Sequence, residues 1–164
     1  MIRKLIKTDF QAIFAVVNNA SIVYEGKIPS DQWKEPYMPV EELKMEIRSG
    51  VQFYGYFEKD KLIAVMGIQP VGDVTLIRHA YTLMSHQRKG VGERLLNHLL
   101  SLATTDLILV GTWETALWAI KFYEKHGFKL YSREETNKLL KKYWNIPKRQ
   151  IETSIVLEFK RNPQ

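Results

Sequence analysis

The strongest constraint on this chain is the stretch His86-Gln87-Arg88-Lys89-Gly90-Val91-Gly92, which runs directly into Glu93-Arg94-Leu95-Leu96. An extended, β-rich run over 74–84 precedes it, and an amphipathic helical run over about 91–103 follows. A strand therefore feeds a short glycine-containing loop that opens a helix. The first N–H groups of a helix lack partners within it, and the positive end of the helix dipole stands behind them. Such an end is an anion site, most often for phosphate. Gly90 and Gly92 carry no Cβ, so a pyrophosphate can approach the backbone. Arg88 and Lys89 add cationic donors. A Walker loop needs a Gly-Lys-Ser/Thr ending, which is absent. A dinucleotide loop needs three glycines, and this one has two. What remains is Gln-x-x-Gly-x-Gly or, more plainly, a basic turn before an ordinary helix.

The rest of the chain reads as follows. Residues 1–7 form a strand, and Thr8-x-x-Gln11 is a capping box for a helix to about Asn18, with Phe10, Ile13, Phe14 and Val17 inward. Residues 20–39 have no period and contain Tyr24, Glu25, Trp33, Tyr37 and three prolines. A long irregular segment of this kind is either a binding loop that walls a pocket with aromatics or a cover over the core. A helix over 40–49 buries Leu43 and Ile47 and stops at Gly50. Three strands, 51–59, 62–71 and 74–84, are joined by tight turns and predict an antiparallel meander. After the glycine loop and its helix, 107–113 is a strand parallel to the one before the loop. A helix over 115–126 stops at Gly127, and 128–132 is a strand. Ser132-x-x-Glu135 caps a helix to about Trp144, which Pro147 ends. Residues 151–160 are the closing strand, and 161–164 a frayed tail.

With 164 residues and 45% apolar content the chain suits one domain, 1–164, with its own core. It has no cysteine, which excludes disulfides, thiolate metal sites and a cysteine nucleophile. No metal is expected. The N-terminus lacks the apolar core of a signal peptide, and no stretch reaches the roughly 18 apolar residues of a membrane span. The expectation is a cytoplasmic chain without a membrane partner. The charge of +6 is compatible with a phosphorylated ligand or a solvated lysine-rich surface. No nucleic-acid motif accompanies it, so no nucleic-acid partner is expected.

A second segment, Ala119-Ile120-Lys121-Phe122-Tyr123-Glu124-Lys125-His126-Gly127-Phe128, lies one strand and one helix beyond the loop. Together with Gln87-x-x-Gly90-x-Gly92 it resembles the two signatures of the GNAT superfamily of N-acetyltransferases, and the order of elements over 2–159 is similar to that family's. The segment 133–149 before the last strand resembles an insertion carried by one branch, with its Lys-Tyr-Trp-x-Ile-Pro run. The resemblance implies an α/β (α+β) fold: a mixed, mostly antiparallel sheet of about seven strands flanked by helices, splayed into a V between the fourth and fifth strands.

It further implies an acetyl-CoA-dependent N-acetyltransferase acting on an amine of a small molecule or peptide by direct attack, through a tetrahedral intermediate in a ternary complex. Pantetheine would pair with backbone at Thr82, Leu83 and Met84. The pyrophosphate would sit on Arg88, Lys89, Gly90, Val91, Gly92 and Glu93, with Gln87 opening the loop. Tyr123 matches the position that protonates the leaving thiolate, and Phe122, Ala119 and Leu117 suit the buried side of that helix. Tyr24, Trp33, Tyr37 and Trp113 are the acceptor-site candidates. The sequence departs from the family pattern at Ala116, where many members have Asn, and at Leu76, where some have a catalytic Glu. The base is therefore open among Glu25, His79, Glu114 and a water relay. A non-catalytic acyl-CoA-binding regulatory module on the same fold is the alternative function, and a homodimer stays open.

Overall fold

Alternation of apolar and polar residues, interrupted by tight turns, builds the sheet. In the computed structural model, which describes residues 1–161, it has seven strands. The tail expected at 161–164 lies, from 162 onward, outside the described residues. The strands are β1 (Ile2–Lys4), β2 (Gln52–Glu58), β3 (Lys61–Val71), β4 (Val74–Thr82), β5 (Leu107–Trp113), β6 (Lys129–Leu130) and β7 (Ser154–Lys160). Their spatial order is β1-β2-β3-β4-β5-β7-β6, and only β4 and β5 pair in parallel. The expected V follows from the register. Rungs join Val74 to Leu107 through Ile77 to Val110, and β4 and β5 then run on unpaired with each other.

Helices cover both faces. On one, α3 (Val91–Leu102) and α4 (Leu117–Lys125) bury Leu95, Leu96, Leu99 and Ile120 against Met66, Ile77, Ile108 and Leu157. On the other, α1 (Phe10–Ala20) and α2 (Val40–Arg48) pack Ile13, Val17 and Leu43 on Val51, Phe53 and Val65. Beyond the splay on that same face, α5 (Arg133–Tyr143) places Leu140 on Leu76, Leu109 and Val156. Leu62 to Gln69 are all buried, as a central strand covered on both faces requires.

Local chemistry shifted several expected boundaries. A 3-10 turn over Lys7–Asp9 precedes α1, and the cap is the Asp9 carboxylate accepting from the Ile6 N–H at 2.7 Å, rather than a Thr8/Gln11 box. Ile47 is 40% exposed instead of inward, because the nine-residue α2 turns it past the sheet. Residues 148–152 form a short helix, α6 (Lys148–Glu152), so Ile151 precedes the closing strand, which begins at Ser154. Pro147 caps that turn in extended conformation and pre-sets it. The strand before the loop ends at Thr82, followed by a 3-10 turn over Met84–His86. In α4 the sides are reversed: Leu117 is 60% exposed, Phe122 is half-buried, and Tyr123 is in the core. Ser132 accepts from the Glu135 N–H at 3.2 Å, as its cap pattern predicts.

One irregularity organises the site. Between the rungs Gly67–Arg78 and Val65–Tyr81, β4 carries two residues, His79 and Ala80, opposite the single Met66 of β3. His79 takes a left-handed φ of 54°. This is a β-bulge, which bends and twists the strand, here away from β5. Gly67 makes room for it. A Cβ there would stand 2.9 Å from the Arg78 carbonyl oxygen and 2.7 Å from Val51 Cγ1. Gly67→Ala should therefore destabilise the protein by about 1–3 kcal/mol, since a backbone atom must give way. Gly92→Ala, whose Cβ would meet Phe122 at an ordinary 3.5 Å, is the control. Urea unfolding of both decides it: equal midpoints would show that the bulge tolerates a side chain at Gly67.

Candidate active site

The loop that opens α3 has the backbone of an anion cradle. Arg88 (φ 63°) and Gly90 (φ 77°) are left-handed and Lys89 between them is not. Such alternation turns successive N–H groups toward one side, forming a nest. Arg88 holds this conformation with a Cβ, a strain typical of functional loops. No side chain caps α3, so its first amides, from Val91 on, have no side-chain partner. Arg88 and Lys89 are exposed beside it. Upstream, Gln87 Nε2 donates to the Thr82 carbonyl at 3.3 Å and ties the loop to the end of β4. The Leu83 N–H is given to Ile63, and the Met84 N–H to Asn19 Oδ1.

A cavity of about 330 Å³ occupies the splay. Ile77 to Tyr81 of β4 form one wall, Val110 to Trp113 of β5 the other, and Tyr123 reaches it from α4. Over it, from one side, comes the α1–α2 segment with Tyr24, Tyr37 and Glu42, and from the other the α5–α6 segment with Trp144, Ile146 and Gln150. Arg149 joins these two flaps by a bidentate pair with Asp31, at 2.9 and 3.2 Å. Arg149, and secondarily Gln32, hold the Asp31 carboxyl down at about 2.

Four aromatic residues converge in the cavity. Trp113 Nε1 donates to Tyr37 Oη at 2.7 Å. The Tyr24 ring lies 5.4 Å from Tyr37 and 6.3 Å from Tyr81, and the Tyr37 ring lies 6.5 Å from Tyr81. Burial pushes all of these phenols up, Tyr24 to about 12, the effect of burial being the largest. Tyr123 is raised too, by burial first and then by the nearby Tyr24. The cavity is thus lined by phenols that stay protonated at neutral pH.

The bulge aims Arg78 and His79 at the α2 side together. Arg78 Nη1 lies 2.8 Å, and His79 Nε2 3.0 Å, from Glu46 Oε2. Arg78 also donates to Gln69 Oε1 at 3.3 Å. The His79 ring stacks on Phe53, with centroids 5.9 Å apart. Burial draws the His79 pKa below its ordinary value, against the opposing pull of its Glu46 hydrogen bond. Burial raises the Glu46 carboxyl, but the His79 hydrogen bond and the charges of His79 and Arg78 bring it below its ordinary value.

The structure therefore brings Tyr24, Tyr37, His79, Trp113 and Tyr123 together in one cavity. Trp33 packs on Tyr37 at 5.9 Å but faces a second hollow with Pro36 and Ser21. Glu25 is exposed and lies outside the cavity lining, as does Glu114, which is ion-paired with Arg133. Sequence reasoning missed Arg78, Tyr81 and Glu46, and the walls formed by Trp144 and Ile146. The aperiodic run over 144–147 carries the same signal that singled out 20–39: aromatic content without a period. Glu46, within α2 and far in sequence from either motif, offers no such signal. Leu76 and Ala116 are both fully buried, so neither position can hold a polar group toward the cavity without rearrangement.

Comparison with known proteins follows the geometry. The model of the acetyltransferase (GNAT) family matches residues 16–128. A PaiA N-acetyltransferase from Thermoplasma acidophilum, solved in complex with coenzyme A, is 19% identical, with a TM-score of 0.73 over 98% of each chain. An acetyltransferase from Streptococcus agalactiae is 17% identical, with a TM-score of 0.75 over 98% of this chain and 97% of that one. The ribosomal-protein-S18-alanine N-acetyltransferase from Escherichia coli is 17% identical, with a TM-score of 0.66 over 100% of this chain and 95% of that one. At these identities the likeness is one of fold. No curated protein matches the chain in sequence.

The phenol cluster has a measurable signature. Tyr24 has a folded pKa of about 12 against an ordinary 10.0. A raised pKa of this kind contributes stability that is fully present below the unfolded value and is lost as pH rises through the folded one. Urea midpoints should therefore fall between about pH 10 and pH 12, and Tyr24→Phe should flatten that fall. An equally steep loss in the variant would mean that Tyr24 ionises freely in the folded protein.

Proposed function

The chain belongs to the GNAT family of acetyltransferases, and from that premise we propose that it is an N-acetyltransferase moving the acetyl group of acetyl-CoA to a primary amine of a small molecule or peptide. The observation that carries this reading is that β4, whose Ile77 to Tyr81 wall the cavity, runs on from Thr82 through a single 3-10 turn into the nest at Arg88–Gly90. A long ligand with an anionic end and a reactive end fits such a path. The fit is chemical as well as spatial: uncapped α3 amides and two exposed cations suit a pyrophosphate, and an open strand edge suits an amide-bearing arm. One solved chain of this fold is in complex with coenzyme A, and we carry that ligand class over to this chain.

In this reading acetyl-CoA supplies an activated acetyl thioester. The amides from Arg88 to Glu93 hold its pyrophosphate, and Arg88 and Lys89 offset its charge. The free edge of β4, from Arg78 to Thr82, holds the arm. Leu83 acts through its side chain and Met84 through its carbonyl and side chain, since both N–H groups are already paired and the Leu83 carbonyl accepts from the His86 N–H. Tyr24, Tyr37 and Trp113 pack around the acceptor, and Trp33 backs Tyr37. Tyr123, buried and neutral, keeps a proton on Oη that it gives to the departing sulfur. The α5–α6 flap, joined to the acceptor segment through Arg149, shuts water out of the cavity.

Two experiments test this. Gly92→Asp places a carboxylate in the first turn of α3, where it suits the helix dipole and fits beside Phe122. The variant should fold normally and bind acetyl-CoA at least about tenfold more weakly by calorimetry, because like charges repel. Unchanged affinity in the folded variant would sink the loop assignment. Thiol release from acetyl-CoA across a panel of amines tests turnover, and Tyr123→Phe should lower kcat roughly 10²-fold with acetyl-CoA affinity little changed. A variant within about threefold of wild type would make Tyr123 a packing residue. Tight acetyl-CoA binding without release on any amine would favour a non-catalytic acyl-CoA-binding module.

A further inference from the structure

We propose that His79 is the general base for the acceptor amine and that Glu46, on α2, is the positioning residue that orients its ring. The inference rests on the acetyltransferase reading above and deepens it, because the family position for a catalytic carboxylate is here Leu76, buried under α5.

Four observations carry the proposal. His79 lines the cavity in the splay, as Tyr123 does. It is held there by a left-handed φ of 54° at the bulge, a conformation that costs on the order of 1 kcal/mol or more for a side-chain-bearing residue and persists at functional sites. Its Nε2 lies 3.0 Å from Glu46 Oε2. An ionised carboxylate only accepts, so Nε2 carries the proton and Nδ1 is left as the basic atom. Among the described residues, no hydrogen bond is made to Nδ1. The ring is held in plane by Phe53 on one side.

A purely structural account of the cluster is poorer. Half-buried charges joining α2 to the sheet gain little over apolar residues of the same size. They also do not call for a strained backbone. Arg78 has a clear part in the base reading, because its guanidinium, 2.8 Å from Glu46, keeps that carboxylate ionised. The titratable groups facing His79 are Glu46 and Glu42 from α2, and Arg78 from β4 itself; Tyr81 stands next on the same strand. Glu42 is paired with Lys34 at 2.9 Å, which leaves Glu46 as the carboxylate on the ring.

The proton count closes. The acceptor arrives as an ammonium ion and loses one proton to Nδ1, directly or through one water. The freed lone pair forms the C–N bond at the thioester carbonyl carbon, giving a tetrahedral intermediate, and its collapse breaks the C–S bond with the electron pair leaving on sulfur. Tyr123 Oη protonates the sulfur and is restored by the proton that nitrogen sheds as the amide forms. The imidazolium, stabilised by Glu46, then releases its proton to solvent. The net products are amide, free thiol and one proton.

The test uses the intact protein and an alkylamine that wild type acetylates. His79→Asn is the chosen variant, because Asn tolerates left-handed backbone. It should lower kcat roughly 10²-fold, with acetyl-CoA affinity by calorimetry within about threefold. Glu46→Gln removes the group that raises the His79 pKa. Its imidazole should therefore titrate at lower pH by NMR, and the acid limb of kcat should move down by the same amount, with kcat itself reduced about tenfold. An unmoved titration and acid limb in Glu46→Gln overturns the positioning role, and His79→Asn turnover within threefold of wild type overturns the base. If His79→Asn does not fold, the paired shifts in Glu46→Gln decide. Wild type that acetylates no amine overturns the acetyltransferase reading and this pair with it. Wild-type turnover beside an unaffected His79→Asn overturns the pair alone.

Discussion

The parallel ladder between β4 and β5 is four residue pairs long, and the rest of the site depends on its stopping there. Both strands continue past the last rung, and each is held on its outer side by an antiparallel partner, β3 or β7. Neither can swing back to close the gap. The bulge at His79 sets the direction of β4, and the glycine at Gly67 leaves the Arg78 carbonyl the room to take part in it. A gap between two strands exposes backbone polar groups that would be costly to bury unpaired, so it must meet either water or a ligand with its own donors and acceptors. The cavity at this place is therefore a property of the ladder, and the side chains only line it.

Burial then determines which charges the cavity contains. Neutral phenols from Tyr24, Tyr37, Tyr81 and Tyr123 tolerate it because their ionised forms are disfavoured. The groups that do carry charge are each held by a partner: Arg78 and Glu46, Lys34 and Glu42, Asp31 and Arg149. His79 avoids the cost by losing its proton more readily than a solvated imidazole does. At the other end of the same path the loop over Arg88 and Lys89 stays exposed and cationic. The stretch from loop to cavity is thus polar and positive at the loop and nearly neutral at the cavity. In the proposed reading that gradient separates holding an anionic handle from doing proton chemistry on an amine.

Two chain segments far apart in sequence enclose the acceptor end, and their pairing shows how much of the site was legible beforehand. The segment over 20–39 was marked by its aromatic residues and lack of period, and Tyr24 and Tyr37 do line the cavity. The equivalent run at 144–147 was read as a helix break, and the ion pair from Arg149 to Asp31 spans 118 residues. No local pattern reports a contact of that separation. The α4 faces were misread for a related reason. Helical spacing alone says that Phe122 and Tyr123 diverge by about 100°, but which of them faces the core depends on what packs opposite.

By itself the sequence determined the order of elements, the meander, the loop at Gln87–Gly92 and the helix it opens. These follow from short-range rules: alternation, helical period, turn residues and caps act over a few residues and leave their marks in the chain. Tertiary structure alone decided where β4 bends, because the bulge arises from register between β3 and β4 and from the space at Gly67. It also decided that Glu46 meets His79 and Arg78, that Glu25 and Glu114 stay outside the cavity, and that α5–α6 becomes its wall. Each of those outcomes is a contact across the sheet. Its energy depends on distance and burial, which exist only once the layers have packed.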